Sequence, residues 1–267
     1  MQKKLTTLSE AISIIKNGDC VALGGVGRNK VPFKAVVEII RQKKKNLYII
    51  GREKGIDFDI LIGAGIATKV SAAYIGLEEF GLALNFRKKV ESGEIEFLEH
   101  TCGSVISGFR AGAMGIPFIP IKGIFGSDLF KVRDDFKEIK CPLTGEKLVA
   151  VPGINPDVAI IHAQEADEYG NVRIRGTRFE DELMVKAANK AIVTVEKIIP
   201  HEEIRENPEL TTIPYFYVDK VVEVPKGAYP TSCYGYYSSD AAEIDRYAKA
   251  IRDEKSFNEY IDKLIDN

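Results

Sequence analysis

The chain has 267 residues, 45% of them hydrophobic, and its 37 basic and 39 acidic side chains leave a formal net charge of −2. This length fits one large α/β domain or two small ones, and the balanced charge gives no electrostatic reason to expect nucleic acid. No apolar run reaches about 18 residues, the length of a membrane-spanning helix. Four cysteines at positions 20, 102, 141 and 233 lack CxxC spacing. Without a redox pair, a disulfide framework or an apolar leader, a cytoplasmic protein is expected.

A glycine-rich loop follows a short apolar strand in the stretch GDCVALGGVGRNKVP, which covers residues 18–32. The run VAL is typical of a strand buried on both faces of a parallel sheet. Gly24, Gly25 and Gly27 predict a tight turn whose N–H groups can bind an anion or a developing oxyanion. The loop contains neither a dinucleotide fingerprint nor a P-loop, so a plain turn without a ligand is the alternative.

Two cations in the same loop are candidate ligands for a substrate carboxylate. Arg28 and Lys30 stand just before a predicted helix over 32–41. An arginine can bind a carboxylate through two parallel hydrogen bonds. The alternative for both residues is a solvated loop side chain.

Helices and strands alternate along the rest of the chain. A capping box at Thr7 and Glu10 predicts a helix over 7–17. Further helices are predicted over 78–90, 104–114, 180–189 and 239–266, strands over 46–50, 94–98, 157–163 and 191–196, and a pair of strand segments over 215–224. Residues 57–75 fit helix or strand, and 121–150 predict a loop or small flap. The pattern predicts a single domain over 1–267, an α/β fold whose open, mostly parallel sheet has helices on both faces.

Polar residues follow the strand predicted over 94–98. Ligands of open α/β sheets bind at the carboxyl ends of strands, so Glu99, His100, Thr101 and Cys102 are candidate substrate-binding residues. Glu99 and His100 could supply a general base, or could form a hydrogen-bonded pair that fixes the loop. For Cys102, packing as a small residue is the simpler interpretation.

Other titratable residues predict no metal site. His162 lies inside an apolar strand and is interpreted as a hydrogen-bonded core histidine. Glu165 and Asp167 have no histidine at a spacing that indicates a metal ligand set.

Three stretches together resemble the alpha (A) type of subunit in family I CoA-transferases, above all the glutaconate branch. They are GDxVxLGG followed by Pro32, FRAGAxGIPFIP at 109–120, and PDVAIIHA at 156–163 followed by AD and GN. The resemblance covers nearly the whole chain. It implies an open α/β fold related to ribose-5-phosphate isomerase, with CoA as a substrate and no bound cofactor. It also implies a homologous beta subunit in a heterodimer or heterotetramer.

In that family a glutamate carboxylate attacks the acyl-CoA thioester, and CoA returns to form a glutamyl-CoA thioester. The resemblance implies that this glutamate belongs to the partner beta subunit, in a Glu-x-Gly context after a strand. Glu53-Lys54-Gly55 matches that bare string behind the strand 46–50, so an enzyme that uses Glu53 of this chain stays open. Glu91-Ser92-Gly93 also matches, but at a helix end that predicts a surface position.

The expected function is the alpha subunit of a heteromeric CoA-transferase that moves CoA between an acyl-CoA and a carboxylic or dicarboxylic acid. Some relatives of this subunit resemble ring-opening hydrolases of cholesterol-derived CoA thioesters. For that alternative, Glu99 is the candidate catalytic residue. A non-catalytic ligand-binding or regulatory protein with the same type of sheet is a further alternative.

Overall fold

The computed structural model describes residues 2–266. The helices are α1 Leu8–Ser13, α2 Phe33–Arg41, α3 Ile56–Gly63, α4 Leu84–Glu91, α5 Cys102–Met114, α6 Leu129–Val132, α7 Asp181–Ala187, α8 His201–Glu206, α9 Ala241–Ala250 and α10 Glu254–Asp266. The strands are β1 Cys20–Leu23, β2 Leu47–Ile50, β3 Glu53–Lys54, β4 Ala67–Ala72, β5 Tyr74–Ile75, β6 Glu96–Glu99, β7 Phe118–Ile121, β8 Lys137–Lys140, β9 Lys147–Pro152, β10 Val158–Ala166, β11 Val172–Arg173, β12 Lys190–Ile198 and β13 Lys220–Glu223.

The central sheet has the strand order β13-β12-β10-β1-β2-β4-β6, with β11 beside β10. Every neighbouring pair along that order is parallel, and only β11 runs antiparallel to its neighbour. The chain first builds outward from β1 through β2, β4 and β6. It then returns to the other side of β1 with β10. The strand order therefore reverses at β1, which is the position where open α/β sheets bind ligands.

The strands β1, β2, β10, β12 and β13 contribute to two hydrophobic cores, because successive side chains point to opposite faces of a sheet. On β10, Val158 and Ile160 pack in a core with residues of α1, α2, α3, α9 and α10. Ala159 and Ile161 pack in the other core, with residues of α5 and α7. The prediction of an open parallel sheet with helices on both faces is confirmed.

Several predicted boundaries change. The strand predicted to end at Ala163 continues to Ala166, because its pairing with β12 extends that far. The segment 57–75 resolves into α3, β4 and β5, and a turn at Gly65 with φ +70° joins α3 to β4. The predicted helix 239–266 is two helices, α9 and α10. Residues Tyr215–Tyr217 form a 3-10 turn, so 215–224 holds one strand rather than two segments.

A small antiparallel sheet, β7-β9-β8, lies between α5 and β10 in the chain. Phe136, Val149 and Val151 form its core. The flap predicted over 121–150 is therefore an ordered sheet with its own packing. No helix within residues 2–266 is both long and apolar enough to cross a membrane.

We predict that Gly112→Ala destabilises the fold. A Cβ at Gly112 would lie 2.1 Å from the carbonyl oxygen of Ile154 and 3.0 Å from the Cβ of Ala187. Such overpacking lowers the free energy of unfolding by about 1–3 kcal/mol. Denaturant titration measures the loss.

Gly103→Ala is the matched control in the same helix, because the nearest neighbour of its Cβ would be 3.8 Å away. We expect no loss of stability from this variant. Equal destabilisation by the two substitutions would contradict the packing explanation.

Candidate active site

The glycine loop after β1, the segment after β2 and the start of α5 after β6 meet at the carboxyl edge of the sheet. The Gly27 N–H donates to the Glu53 carbonyl oxygen at 3.0 Å. The Cys102 thiol donates to Glu53 Oε1 at 3.2 Å. Three separate segments of the chain therefore share one surface at the strand-order reversal.

A buried lysine holds the carbonyl side of the glycine loop. The Lys54 ammonium donates to the carbonyl oxygens of Leu23, Gly24 and Gly25 at 3.1, 2.8 and 3.2 Å. It also forms an ion pair with Asp57 at 2.8 Å, and neither side chain is exposed. A buried charge needs such partners, so the carbonyl groups of the loop converge on this ammonium.

The start of α7 holds the amide side of the same loop. Buried Asp181 accepts the Gly25 N–H and the Lys30 ammonium, each at 2.9 Å. The Lys30 ammonium also lies 5.6 Å from the ring centroid of Phe179. Lys30 and Phe179 both have φ +52°, a left-handed conformation that strains a bulky residue. Lys30 is therefore a buried structural cation, not a solvated side chain.

All three glycine amides donate hydrogen bonds within the chain. Gly24 donates to the Ile160 carbonyl oxygen at 2.8 Å, Gly25 to the buried carboxylate of α7, and Gly27 to Glu53. The loop in this conformation is an internally bonded turn. A role of these amides in binding an oxyanion stays a prediction, and it requires the loop to exchange some of these bonds.

Four side chains form what we name the Arg52 cluster: Arg52, Glu53, Cys102 and Glu180. Arg52 Nη1 donates to Glu53 Oε1, and Arg52 Nε donates to Glu180 Oε2, both at 2.9 Å. The Cys102 thiol donates to the same Oε1 of Glu53. The guanidinium of Arg52 thus binds two carboxylates at the carboxyl edge of the sheet.

The two carboxylates of the Arg52 cluster differ in burial. The side chain of Glu53 is 36% exposed, whereas that of Glu180 is 2% exposed. Burial raises the pKa of Glu180 although Arg52 opposes the shift. Its Oε1 is buried without a hydrogen-bond partner among residues 2–266. Burial and the neighbouring Glu53 raise the pKa of the Cys102 thiol, which is therefore protonated at neutral pH.

Glu99 and His100 do not form the hydrogen-bonded pair considered from the sequence. The Glu99 side chain is exposed, and its carbonyl oxygen accepts from Arg133. His100 is buried, with Nδ1 3.0 Å from Ser104 Oγ and its ring against Phe136 of the flap. Burial and Arg133 lower the pKa of His100 to about 3, so the ring is neutral and braces the flap.

The remaining candidates also have assigned contacts. Thr101 caps α5 by accepting the Ser104 N–H at 3.0 Å, which starts this helix two residues earlier than predicted. Arg28 pairs with Glu78 and Glu79, each at 2.9 Å, so two carboxylates already balance its charge. Of the residues named from the sequence, Glu53 and Cys102 belong to the Arg52 cluster.

A second buried cluster lies between β10 and β12. His162 Nδ1 is 2.9 Å from Thr194 Oγ1, and Nε2 is 2.8 Å from Glu196 Oε1. The Tyr237 hydroxyl donates to the same carboxylate oxygen. His162, Glu196 and Cys233 place one potential metal ligand each within 4.8 Å of one another. Hydrogen bonds occupy both ring nitrogens, which confirms His162 as a hydrogen-bonded core histidine.

Comparison with known proteins identifies the family. The A subunit of 3-oxoadipate CoA-transferase from Pseudomonas knackmussii is 37% identical over 266 residues, which cover 98% of this chain and 93% of that protein. The A subunit of glutaconate CoA-transferase from Acidaminococcus fermentans is 38% identical, with 98% and 88% covered. The family model described as Coenzyme A transferase matches residues 5–224. The chain belongs to the coenzyme A transferase family, as an alpha subunit.

The crystal structure of the A. fermentans glutaconate CoA-transferase superposes with a TM-score of 0.95 at 37% identity, covering 99% of this chain and 89% of that one. The CoA-transferase fold implied by the resemblance is thereby confirmed. An uncharacterised protein of Archaeoglobus fulgidus is 41% identical over 99% of this chain, but the chain spans only 60% of its length. The cholesterol ring-cleaving hydrolase IpdA subunit of Rhodococcus jostii is more distant, 28% identical over 97% of this chain and 90% of that protein.

We predict that Lys54→Met lowers the free energy of unfolding by about 3–5 kcal/mol, because it leaves Asp57 buried without its counter-ion. Denaturant titration measures the change. Lys69→Met is the control, since the Lys69–Glu96 pair is partly exposed. We expect a loss below about 1 kcal/mol from that control. Equal losses from the two variants would contradict the role assigned to Lys54.

A second prediction follows from the raised pKa of Glu180. Its contribution to stability is fully present below the pKa of the unfolded chain and is lost as pH rises through the higher folded-state pKa. Glu180→Gln lacks this titration. The Tm of the variant minus that of the parent chain should therefore become more positive between about pH 4 and pH 8. A difference independent of pH would contradict the assignment.

Proposed function

We propose that this chain is the alpha subunit of a heteromeric enzyme that moves CoA between an acyl-CoA and a carboxylic acid. Membership of the coenzyme A transferase family, on the alpha-subunit side, carries the proposal. The names of the two A-type relatives specify 3-oxoadipate and glutaconate. Both compounds are dicarboxylates, so dicarboxylic acyl groups are the first substrates to test.

The reaction needs a nucleophilic glutamate, which we place on the beta subunit. Its carboxylate attacks the thioester carbonyl carbon and the C–S bond breaks, so that CoA leaves as a thiolate and an acyl-glutamyl anhydride remains. The thiolate then attacks the glutamyl carbonyl and releases the acyl group as a free carboxylate. The acceptor acid repeats the two steps in reverse. None of these steps requires a proton transfer.

In this proposal, the carboxyl edge at the strand-order reversal is the surface that this chain contributes to substrate binding. It comprises the glycine loop and the start of α5, with the residues Gly24, Gly25, Gly27, Arg28, Thr101 and Cys102, and the buried side chains of Lys30 and His100 support it from within. Lys54 and Asp181 keep the loop in one conformation through buried contacts. Such rigidity holds reacting groups in a fixed geometry.

A ring-opening hydrolase on the same scaffold is the second candidate function. The more distant IpdA relative supports it. Glu99 is the residue proposed for that chemistry, since its exposed side chain lies at the carboxyl end of β6. Family membership does not favour the third hypothesis, a non-catalytic binding protein.

The deciding experiment expresses the chain with and without a beta-type subunit, recognised by Glu-x-Gly after a strand. CoA exchange from glutaconyl-CoA or acetyl-CoA to labelled acetate is followed. We expect activity only from the pair, because the nucleophile belongs to the partner. Activity of this chain alone would contradict the proposal.

Glu99→Gln in the same pair separates the two candidate functions. Full CoA transfer by that variant is the expected result, and it would remove Glu99 from the transferase site. Loss of thioester turnover in the Glu99→Gln complex would favour the ring-opening hydrolase.

A further inference from the structure

We propose that Glu53 is a general base that activates water, so that the assembled enzyme also hydrolyses its acyl-CoA thioester. The inference rests on the proposed function, which supplies the acyl-CoA. The inference goes beyond the proposed function because it assigns a second reactive carboxylate, on this chain, in addition to the nucleophile of the partner.

The Glu53 carboxylate is anchored at one oxygen and open at the other. Oε1 accepts both Arg52 Nη1 at 2.9 Å and the Cys102 thiol at 3.2 Å. No donor to Oε2 is found among residues 2–266, and the side chain is 36% exposed. A carboxylate fixed in this way presents its free oxygen in a defined direction, as a general base must.

The backbone of Glu53 is fixed as well. Its carbonyl oxygen accepts the Gly27 N–H, and β3 pairs with β5 through Glu53 and Tyr74. The residue therefore lies beside the glycine loop, at the point where the strand order reverses. Ligands are expected at this point of the sheet.

A second, buried carboxylate also holds the Arg52 guanidinium that anchors Glu53. Glu53 and Glu180 both pair with the one guanidinium of Arg52. Glu180 is buried and holds Arg52 through Nε, which keeps the guanidinium in place when Glu53 becomes neutral.

The start of α5 supplies donors for the developing oxyanion. The N–H groups of Cys102 and Gly103 are the first two of the helix and have no intrahelical acceptor. The side chain of Cys102, the first residue of this helix, touches the Glu53 carboxylate. An oxyanion there would also lie at the positive end of a 13-residue helix.

The hydrolytic step balances without a co-reactant other than water. Glu53 takes a proton from water while the water oxygen bonds to the thioester carbonyl carbon. The C–S bond breaks, CoA leaves as a thiolate, and Glu53 returns the proton to it. The products are the free acid and CoA. Cys102 keeps its proton and acts as a positioning residue for the carboxylate.

The test uses the purified complex of this chain with its beta subunit, with glutaconyl-CoA or acetyl-CoA and no acceptor acid. Release of the CoA thiol is measured. We expect slow hydrolysis by the unaltered complex and about a 100-fold loss in Glu53→Gln. CoA transfer to labelled acetate is measured on the same samples, and we expect the ratio of hydrolysis to transfer to fall in Glu53→Gln, because no step of the transfer needs the proton that Glu53 carries.

Matched variants test the roles within the cluster. Glu96→Gln, an exposed glutamate of β6 that pairs with Lys69, should hydrolyse as the unaltered complex does. Cys102→Ala should lower kcat for hydrolysis with little change in KM, and Cys102→Ser should restore it, because a hydroxyl can donate to Glu53 in the same way. Equal unfolding temperatures confirm that the variants fold.

The outcomes separate this inference from the proposed function. A complex that transfers CoA but does not hydrolyse, or whose Glu53→Gln variant hydrolyses normally, overturns the inference alone. A CoA adduct detected by mass spectrometry on Glu53 would make this residue a nucleophile and would also overturn it. Hydrolysis that depends on Glu53 without CoA transfer would support the inference and overturn the proposed function. Failure of both activities with both thioesters overturns both.

Discussion

The buried ammonium of Lys54 is the interaction on which the carboxyl edge of the sheet depends. Its contacts with three consecutive carbonyl groups determine the path of the glycine loop, and Asp57 balances its charge inside the protein. Since a buried ion without partners is costly, the loop cannot leave this path without exposing or stranding a charge. Asp181 fixes the opposite side of the loop in the same way. Two buried ion pairs thus give a glycine-rich turn the rigidity that its sequence lacks.

The architecture could be predicted because it follows from periodicity and composition. Buried parallel strands appear as apolar runs, and the capping box at Thr7 marks the start of the first helix correctly, although that helix ends at Ser13 rather than at residue 17. The errors fall where tertiary contacts override local pattern. The polar residues Gln164 and Glu165 suggest a loop, yet both are buried in β10 because partners elsewhere in the chain accept and donate their hydrogen bonds. The local sequence around Gln164 and Glu165 does not indicate which residues will form these hydrogen bonds.

The site was predictable in position but not in composition. The glycine loop and the residues after β6 lie at the sheet edge where strand ends are expected to bind ligands. Arg52, Glu180 and Asp181 were missed, because Arg52 and Glu180 meet only when β2 and α7 are brought together by the fold. The sequence pattern suggests Lys30 as a surface ligand, although Asp181, 151 residues away, makes it a buried cation. The adjacent acids Glu180 and Asp181 at the start of α7 are the sequence signal that could have pointed to this part of the site.

Two neighbouring acids at the start of α7 serve different parts of the site. Glu180 holds the arginine that follows β2, and Asp181 holds the loop that follows β1. A displacement of this short helix would therefore move the segment after β2 and the loop after β1 together. A contact that shifts α7 would therefore change the positions of both segments together. The geometry of the site thus depends on a helix that lies outside the reacting groups.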